Sequence, residues 1–364
     1  MTERRVLVAM SGGVDSSVAA KLLQNAGYDC VGCMMKLYEQ ADSVSAGEPK
    51  TCCTLDDAED ARSVAQRLGM PFYVFNFKDA FRTCVIDRFV RAYEAGETPN
   101  PCIDCNRCLK FGKLFERAEV LGCTHIATGH YARIVRENGK YVLKKALDRA
   151  KDQSYVLYDL TQEKLAHTLF PLGELEKSTV RAIAAREGFC NARKHDSQDI
   201  CFVPDGDYAR VVAQYGGQTP QPGPFLDMDG NTVGTHRGII HYTIGQRRGL
   251  ALPTGGRIYV TGILPEQNAV RVGPSEALMS REAFVAQFNW ISGEAPVRPF
   301  SCEAKIRYRQ AQTPVTVYPI GPTQVRLEFS EPQRAVTPGQ SAVLYDGDTV
   351  LGGGTIIRKE EAEC

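Results

Sequence analysis

The segment SGGVDSS at residues 11–17 constrains the fold of this chain more than any other stretch. It follows a short apolar run from Arg4 to Met10 and precedes Val18 to Leu23, which has helical character. A glycine-rich turn between a strand and a helix lets backbone amides and the helix N-terminus converge on phosphate oxygens. The segment has neither the lysine of a GxxxxGK[ST] loop nor the spacing of GxGxxG, so it predicts another kind of phosphate site. A glycine-rich turn with a serine or aspartate helix cap is the alternative.

Strand-like and helix-like segments alternate around this turn. The further apolar runs lie at 28–37, 71–77 and 125–130, and the helix-like stretches lie at 56–69 and 110–122. Such alternation predicts an α/β fold with a doubly wound parallel sheet, which binds ligands at the carboxyl ends of its strands. We place this N-terminal domain at residues 1–205.

The amino-acid pattern changes after this domain, from long helix-like stretches to short segments. Glycine and proline punctuate short segments from about residue 206, which predicts a small central domain at 206–280. Beyond it, apolar runs such as 316–318, 324–329 and 341–345 alternate with Pro/Gly turns. This pattern predicts a C-terminal antiparallel β-barrel at 281–364.

The composition limits the class of protein and the cellular location that we expect. Hydrophobic residues make up 43% and charged residues 24%, as in ordinary globular proteins, and 43 Lys+Arg balance 43 Asp+Glu, so no global positive field indicates nucleic acid. No apolar run reaches the roughly 18–20 residues that span a bilayer, and the first run is too short for a signal peptide. We therefore expect a cytoplasmic protein without a membrane partner. The odd number of cysteines, 13, favours reduced thiols over a disulfide framework.

Three of these cysteines have the spacing Cys-x2-Cys-x2-Cys in a proline-containing segment at 98–108, which we predict to be a loop before a helix that begins at Lys110. A thiolate near a helix N-terminus and an arginine is favoured, so a lowered thiol pKa is expected here. The spacing also occurs in metal sites, although no second CxxC pair is present. Cys201 taken alone indicates a small buried apolar residue.

These segments together resemble the tRNA-specific 2-thiouridylase (MnmA) family, whose nucleotide domain is of the N-type ATP pyrophosphatase kind. The resemblance covers essentially the whole chain and rests on AMSGGVDSS, TPNPCIDCN, ATGHYAR, KDQSYVLY, FPLGELEKSTVR, KHDSQDICF, HYTIGQRRGL, KIRYRQ and TPGQSAVLY. It implies an ATP-dependent tRNA sulfurtransferase that adenylates the C2 oxygen of the wobble uridine and replaces it by sulfur, releasing AMP and pyrophosphate. The implied partners are the tRNA anticodon stem-loop and an external sulfur donor, such as a cysteine desulfurase or a sulfur relay protein.

The resemblance also implies an ATP site, with magnesium as the accompanying ion. Within it, Asp15 is better suited to hold the loop or a magnesium ion than to touch phosphate. The implied ATP-binding residues are Ala9, Met10, Ser11, Gly12, Gly13, Val14, Asp15 and Ser16, with Met35 and Gly129 near the adenosine.

Two sulfur routes are implied and stay open. In the first, Cys201 carries a persulfide and Cys105 is the nucleophile, and sulfur transfer leaves a Cys105–Cys201 disulfide. In the second, Cys102, Cys105 and Cys201 ligate a [4Fe–4S] cluster with one open iron for sulfide. The second arises because some relatives carry Asp where this chain has Cys102.

The resemblance further implies a set of tRNA contacts. Gln153 would hydrogen-bond the edge of a flipped uridine. The window 133–151 has seven Lys/Arg and two Asp/Glu and predicts a local phosphate-binding patch, with a solvated face as the alternative. For His130 alone, a satisfied core histidine is the alternative. The implied base and tRNA contacts are Asn100, Pro101, Cys102, His130, Lys151, Asp152, Gln153, Arg307, Tyr308 and Gln340.

Two other functions fit parts of the sequence. An adenylating ligase of the same fold would use ammonia or an amine and would need no cysteine pair. A non-catalytic RNA-binding module would hold a structural metal in the Cys-x2-Cys-x2-Cys segment and would unfold on chelation. The intact phosphate loop argues against the second.

Overall fold

The computed structural model describes residues 4–38, 55–195, 200–203, 205–217, 219–252 and 256–362. The strands of its N-terminal part are β1 (Arg5–Ala9), β2 (Asp29–Lys36), β3 (Phe72–Asn76), β4 (His125–Ala127), β5 (Ala132–Glu137), β6 (Lys140–Lys145) and β7 (Thr168–Leu169). The helices are α1 (Val14–Asn25), α2 (Leu55–Arg67), α3 (Lys78–Phe81), α4 (Asp87–Glu94), α5 (Pro101–Asp104), α6 (Leu114–Val120), α7 (Gln162–Ala166) and α8 (Lys177–Arg186). Two π-helical segments, Arg82–Ile86 and Cys105–Lys113, and a 3-10 turn, Ser154–Leu157, complete this part.

Five of these strands form a parallel sheet in the order β3-β2-β1-β4-β7. The central strand β1 is apolar on both faces, as a strand covered by helices on both sides must be. Val6 and Val8 pack in the cluster that contains α1 and α8, whereas Leu7 packs in a second cluster with the aromatic side chains of α3 and α4. The predicted doubly wound α/β domain is therefore confirmed.

The central region is a small β-structure with one helix. Its elements are α9 (Tyr208–Gly216), β8 (Gly223–Leu226), β9 (Thr232–His236), β10 (Tyr259–Leu264) and β11 (Ala269–Gly273). The sheet order is β10-β11-β8-β9, and β11 pairs with β8 in parallel while the other pairs are antiparallel. Its core is built around Phe225, which is fully buried and meets the Tyr242 ring edge-on at 5.2 Å.

The C-terminal region is a closed antiparallel barrel of six strands. Its elements are β12 (Met279–Trp290), β13 (Phe300–Lys305), β14 (Thr313–Gly321), β15 (Gln324–Arg334), β16 (Ser341–Asp346), β17 (Thr349–Ile357) and the short helix α10 (Lys359–Ala362). Strand β12 pairs with both β15 and β17, and this double pairing closes the barrel. The predicted small central domain and C-terminal β-barrel are thus confirmed.

The hairpin β5–β6 belongs to the barrel sheet by hydrogen bonding. Strand β6 pairs with β17 at Lys144 and Thr349, and the Lys145 amide donates to the Asp348 carbonyl at 2.9 Å. The stretch that the sequence places in the N-terminal domain therefore extends the barrel sheet to eight strands. The domain limits at residues 205 and 280 stay predictions. Within the described ranges, no helix is both long and apolar enough to cross a membrane.

Candidate active site

The phosphate loop lies between β1 and α1, at the carboxyl edge of the parallel sheet. Gly12 has φ +73°, and a Cβ there would lie 2.3 Å from the carbonyl oxygen of Asp57, so only glycine fits. Gly13 is the extended N-cap residue of α1. The loop therefore opens onto the N-terminus of a twelve-residue helix, where the helix dipole favours an anion.

Hydrogen bonds inside the loop fix its shape. The Ser11 amide donates to Ser16 Oγ at 3.2 Å, and the hydroxyls of Ser16 and Ser17 each donate to the Gly13 carbonyl at 3.1 Å. The Ser16 hydroxyl proton is thus used within the loop, whereas Ser11 is exposed. Of the two serines among the implied ATP-binding residues, Ser11 is the one positioned to offer its hydroxyl to a phosphate.

Asp15 anchors the loop from the first turn of α1. Both of its carboxylate oxygens accept from Lys177 Nζ, at 2.7 and 2.8 Å, and the Tyr131 hydroxyl donates to Oδ1 at 2.8 Å. Lys177 is buried at the start of α8. Of the two roles expected for Asp15, the geometry favours holding the loop, and the residues that do this were not identified from the sequence.

Asn191 and Lys194 hold the other side of the loop. The Asn191 amide nitrogen donates to the Gly12 carbonyl and to Ser17 Oγ, both at 2.9 Å, and the residue is 2% exposed. Burial alone would lower the pKa of Lys194, but its hydrogen bonds to Asp57 and Asp60, both 2.6 Å long, outweigh it and raise the pKa. The stretch after α8, which leads towards Cys201, is thereby tied to the loop.

The residues expected near adenosine lie at the same sheet edge. Strands β2 and β4 flank β1: Val8 pairs with Ala127 at the end of β4, and Ala9 pairs with Cys33 of β2, which continues three residues further. Met35 is half-buried near the end of β2. Gly129 follows β4 and approaches the loop so closely that a Cβ would lie 2.7 Å from the Ser16 amide nitrogen. The structure therefore brings all the sequence-predicted ATP residues to one edge.

The cysteine segment is helical, and the expected loop before Lys110 is wrong. Helix α5 begins at Pro101 and continues directly into the π-helical segment Cys105–Lys113, so all three cysteines are on a helix. The side chain of Asn100 accepts from the Cys102 amide at 3.2 Å, and Pro101 occupies the first helical position. This cap and this proline are strong helix-start signals, which explains the early beginning. The rare π-helical geometry is frequent at functional sites.

The expected lowering of the thiol pKa is also wrong for Cys105. Burial raises the pKa of the Cys105 thiol to about 11, and the positive charge of Lys110 offsets this rise only in part. The nearby Arg107 is engaged with the carboxylates of Asp104 and Asp159. At neutral pH the Cys105 side chain is therefore a thiol.

Cys201 packs against the same apolar cluster as Cys105. Its carbonyl accepts from the Tyr38 hydroxyl at 3.0 Å, and the neighbouring Phe202 meets Phe81 and Phe89 edge-on at 5.6 and 5.2 Å. Both cysteines are present as thiols. Residues 196–199, which belong to the KHDSQDICF stretch, lie outside the described residues.

The cysteines proposed as ligands of a [4Fe–4S] cluster are not arranged as a metal site. In the part of the chain that the structure describes, no group of three or more His, Cys, Asp or Glu side chains is arranged to hold a metal ion. Cys102, Cys105 and Cys201 are all described, so this includes them. The three residues as placed do not fit an iron–sulfur cluster, and we assign no step to one.

His130 is an interior residue. Its Nδ1 lies 2.7 Å from Thr128 Oγ1 and its Nε2 lies 3.5 Å from Lys110 Nζ. Burial, and then the charge of Lys110, hold the pKa of His130 well below its usual range. The ring is thus neutral at physiological pH, and its contacts match the core-histidine alternative.

Three of the residues expected to contact tRNA, Asp152, Tyr308 and Gln340, lie at a seam between the N-terminal part and the barrel. The Tyr308 hydroxyl donates to the Asp152 carbonyl at 3.3 Å, and Gln340 Nε2 donates to the Thr98 carbonyl at 2.6 Å. Burial, then the charge of Asp152, raise the pKa of Tyr308. The seam therefore runs from the start of the cysteine helix to the barrel.

Two other residues expected to contact tRNA, Gln153 and Arg307, are hydrogen-bonded within the protein. Gln153 accepts from the Tyr131 amide at 3.0 Å through its side-chain oxygen, so its NH2 group is what it would offer a base. Arg307 donates to Ala335 and Thr337 inside the barrel, both at 3.0 Å. Arg307 thus shapes the barrel wall, a role that the sequence did not indicate.

The expected basic patch at 133–151 is largely neutralised. Its residues form the hairpin β5–β6 and the turn that follows, and four of its seven cations pair with acids. The pairs are Arg133 with Asp348 (3.1 Å) and Glu174 (3.7 Å), Lys140 with Glu294 (3.3 Å), Lys144 with Glu137 (2.5 Å) and Arg149 with Asp348 (2.5 Å). Most of these acids are distant in sequence, so the local charge excess overstated the field that a phosphate would meet.

Three family models match consecutive parts of the chain. The tRNA methyl transferase HUP domain matches residues 4–205, the tRNA methyl transferase PRC-barrel domain matches 210–274 and the aminomethyltransferase beta-barrel domain matches 280–356. With the parallel sheet and its phosphate loop, these matches define the class: a HUP-domain protein extended by a PRC-barrel domain and a β-barrel.

Curated relatives narrow the class. The tRNA-specific 2-thiouridylase MnmA of Symbiobacterium thermophilum is 49% identical over 360 residues, which cover 98% of this chain and 92% of that protein. The MnmA of Moorella thermoacetica is 50% identical over 353 residues, covering 96% and 98%. The chain belongs to the tRNA-specific 2-thiouridylase (MnmA) family. Among solved structures, a 4-thiouridine synthetase–RNA complex with bound ATP matches 58% of this chain and 51% of its own, at 17% identity and a TM-score of 0.36.

Proposed function

We propose that this protein is an ATP-dependent sulfurtransferase that 2-thiolates the wobble uridine of tRNA. One observation carries the proposal: a line of contacts joins the phosphate loop to the cysteine helix. Gly129 packs closely against the Ser16 amide, and Nε2 of the next residue, His130, lies 3.5 Å from Lys110 Nζ. Lys110 is on the cysteine helix, where its positive charge lowers the pKa of the Cys105 thiol. A site that couples nucleotide chemistry to a cysteine suits a reaction that needs both.

The phosphate loop would activate the base. Loop amides and the N-terminus of α1 bind the ATP phosphates, with Ser11 as the exposed hydroxyl. The uracil O2 attacks the α-phosphorus, the bond to pyrophosphate breaks, and the oxygen becomes part of an AMP leaving group. Magnesium would supply charge neutralisation for the phosphates. Asp15 already holds Lys177 and Tyr131, so we assign it to positioning the loop.

The two cysteines would deliver the sulfur. An external donor loads Cys201 as a persulfide, and its terminal sulfur bonds to C2 while AMP departs. The Cys105 thiolate attacks the Cys201 sulfur, the old S–S bond breaks, and the sulfur left on C2 completes 2-thiouridine. The products are one Cys105–Cys201 disulfide and one AMP, and a reductant resets the enzyme.

The seam between the N-terminal part and the barrel would receive the anticodon stem-loop. Tyr308, Gln340 and Gln153 line it and offer an exposed ring and amide groups. The target base must leave its stack to reach Cys105, and an aromatic side chain with amides is suited to a flipped base. This assignment accounts for Asn100, Pro101 and Cys102 at the start of the helix.

Nucleoside mass spectrometry of unmodified tRNA tests the proposal. The tRNA is incubated anaerobically with ATP, a cysteine desulfurase and cysteine. We expect 2-thiouridine that depends on ATP, is lost in Cys105→Ser and Cys201→Ser, and is retained in Cys302→Ser, a partly buried barrel cysteine. Full activity of Cys201→Ser would contradict cysteine-based thiolation. AMP formation with an amine acceptor but no 2-thiouridine would favour the adenylating ligase instead.

A further inference from the structure

Lys305 is a half-buried cation of the barrel that faces the seam. It is the last residue of β13, and its Nζ lies 5.9 Å from the centroid of the Tyr155 ring. The Tyr155 ring meets the Tyr308 ring edge-on at 5.8 Å, and the Tyr308 hydroxyl donates to the Asp152 carbonyl. Lys305 therefore lies beside residues that the family resemblance assigns to tRNA contacts, although it assigns no role to Lys305 itself.

The Lys305 ammonium has donors to spare. Within the described ranges, no oxygen atom accepts a hydrogen bond from its Nζ and no carboxylate pairs with it. The Tyr155 ring attracts the charge, but the three N–H groups of an ammonium still need acceptors. The Asp152 carboxylate is occupied elsewhere, since it accepts from the Ala146 amide at 2.9 Å and from the Ser154 hydroxyl at 2.8 Å. Lys305 can thus donate to a ligand that supplies oxygen acceptors.

A second lysine adds positive charge to the same place. Lys145 Nζ lies 5.0 Å from the centroid of the Tyr345 ring, and the Tyr345 hydroxyl lies 3.5 Å from Ser154 Oγ, one residue before Tyr155. Lys145 is one of the cations of the 133–151 window that no acid neutralises within the described residues. Two lysines from distant parts of the chain therefore lie over neighbouring tyrosine rings.

The electrostatics of this pair favour an anion. Burial lowers the pKa of Lys305, the charge of Asp152 offsets part of this, and the charge of Lys145 lowers the pKa further. Two half-buried ammonium groups with one carboxylate between them leave an excess of positive charge, and a bound anion would relieve it. Lys145 already donates to the Gln312 side chain and to the Gly347 carbonyl, so it contributes mainly charge, whereas Lys305 contributes donors.

We propose that Lys305 binds a backbone phosphate of the anticodon stem-loop, with Lys145 adding to the positive field. The inference rests on the proposed function, which places the stem-loop in this seam. A phosphate group offers only oxygen acceptors and a negative charge, and it complements an ammonium without an acceptor. Phosphate contacts fix the position of a nucleic acid without reading its sequence. Lys305 thus holds the strand in place while Gln153 and Tyr308 meet the base.

The salt dependence of stem-loop binding tests this contact. Binding of a wobble-uridine anticodon stem-loop RNA to the full-length protein is measured between about 50 and 200 mM salt, where each phosphate contact contributes about 0.7–0.9 to the slope of log K against log salt. Lys305→Met should reduce the slope by this amount, so wild type should lose about threefold more affinity than the variant across the range. Lys305→Arg should keep the wild-type slope, because it keeps the charge.

Lys144→Met is the matched control. It removes the same charge next to Lys145, but Lys144 is paired with Glu137 at 2.5 Å, so the slope should not change. An equal reduction in Lys144→Met would indicate a general charge effect and overturn the contact. A wild-type slope in Lys305→Met, together with reduced stability in urea, would assign Lys305 to the Tyr155 contact alone.

Formation of 2-thiouridine judges the proposed function separately. If wild type makes 2-thiouridine and Lys305→Met keeps the wild-type slope, the phosphate contact is overturned and the proposed function stands. If wild type neither binds the stem-loop nor makes 2-thiouridine, both are overturned. Should Lys305→Met not fold, Lys305→Gln still decides, because it removes the charge and keeps a hydrogen-bond donor.

Discussion

The phosphate loop and the cysteine helix act together in the proposed reaction, but the fold holds them in different ways. The loop is fixed by side chains from far along the chain, with Lys177 on Asp15 and Asn191 on the Gly12 carbonyl. The helix is started locally, by Asn100 and Pro101, and burial raises the pKa of its Cys105 thiol. The loop therefore acts through backbone geometry, whereas the helix acts through the protonation of a side chain.

Because of this difference, the phosphate loop and the cysteine helix should lose function for different reasons. A backbone site loses function when its shape changes, because the amides that bind the phosphates do not titrate. A buried thiol keeps its place but reacts only in the fraction that is ionised. The two halves of the site should therefore respond to different perturbations, and three experiments can break or sharpen the contrast.

The largest effect should come from Gly12→Ala. The new Cβ meets the Asp57 carbonyl at 2.3 Å and the residue has φ +73°. We expect a loss of about 10³-fold in kcat/KM for ATP, combining roughly 1–2 kcal/mol of left-handed strain with about 10²-fold for a displacement of about 1 Å. Gly27→Ala is the matched control, because it has φ +81° and open space. Equal losses in both variants would show that strain alone matters.

Lys177→Met should have the next largest effect. It leaves the partly buried Asp15 carboxylate without its cation, which costs about 3 kcal/mol of unfolding free energy, the lower end for breaking a buried pair. Urea unfolding measures the loss, and ATP titration should show a raised KM. Lys113→Met breaks the exposed Lys113–Glu116 pair and should cost less than about 1 kcal/mol. Similar losses would contradict the anchoring role of Lys177.

The smallest effect of a substitution should be that of Lys110→Met on the pH response of the cysteine helix. Because the pKa of Cys105 is raised to about 11, the thiolate fraction, and with it the rate of alkylation by a small thiol reagent, should rise about tenfold per pH unit from pH 7 to 10. Mass spectrometry of the Cys105 peptide follows the rate. Lys110→Met should slow alkylation at each pH, since Lys110 lowers this pKa. A rate already constant at pH 7 would contradict the buried-thiol picture.

The sequence predicts the fold and the loop well because both depend on local patterns. Apolar runs and the string SGGVDSS specify β1, the turn and α1, and the parallel sheet follows from alternation. The anchors could not be found in this way. Lys177 lies within a recognised stretch, but its partner is 162 residues away, and Asn191 carries no motif at all.

The cysteine region and the basic window show the limit of local reasoning. The proline-containing segment indicated a loop, yet an asparagine cap with proline in the first turn starts a helix there. The pKa of Cys105 depends on tertiary burial, which spacing does not report. The cations of 133–151 meet acids such as Asp348, which are supplied by the barrel 199 to 215 residues later.

Because the hairpin β5–β6 pairs with β17, the domain limits near residues 205 and 280 do not mark places where the chain can be divided into independent fragments. A fragment ending near residue 205 would keep this hairpin but lose β17, so the backbone edge of β6 would lie open to pairing with another chain. It would also leave Arg133 and Arg149 without Asp348. A chimera that combines the nucleotide-binding part of one relative with the barrel of another must therefore also preserve the pairing between β6 and β17.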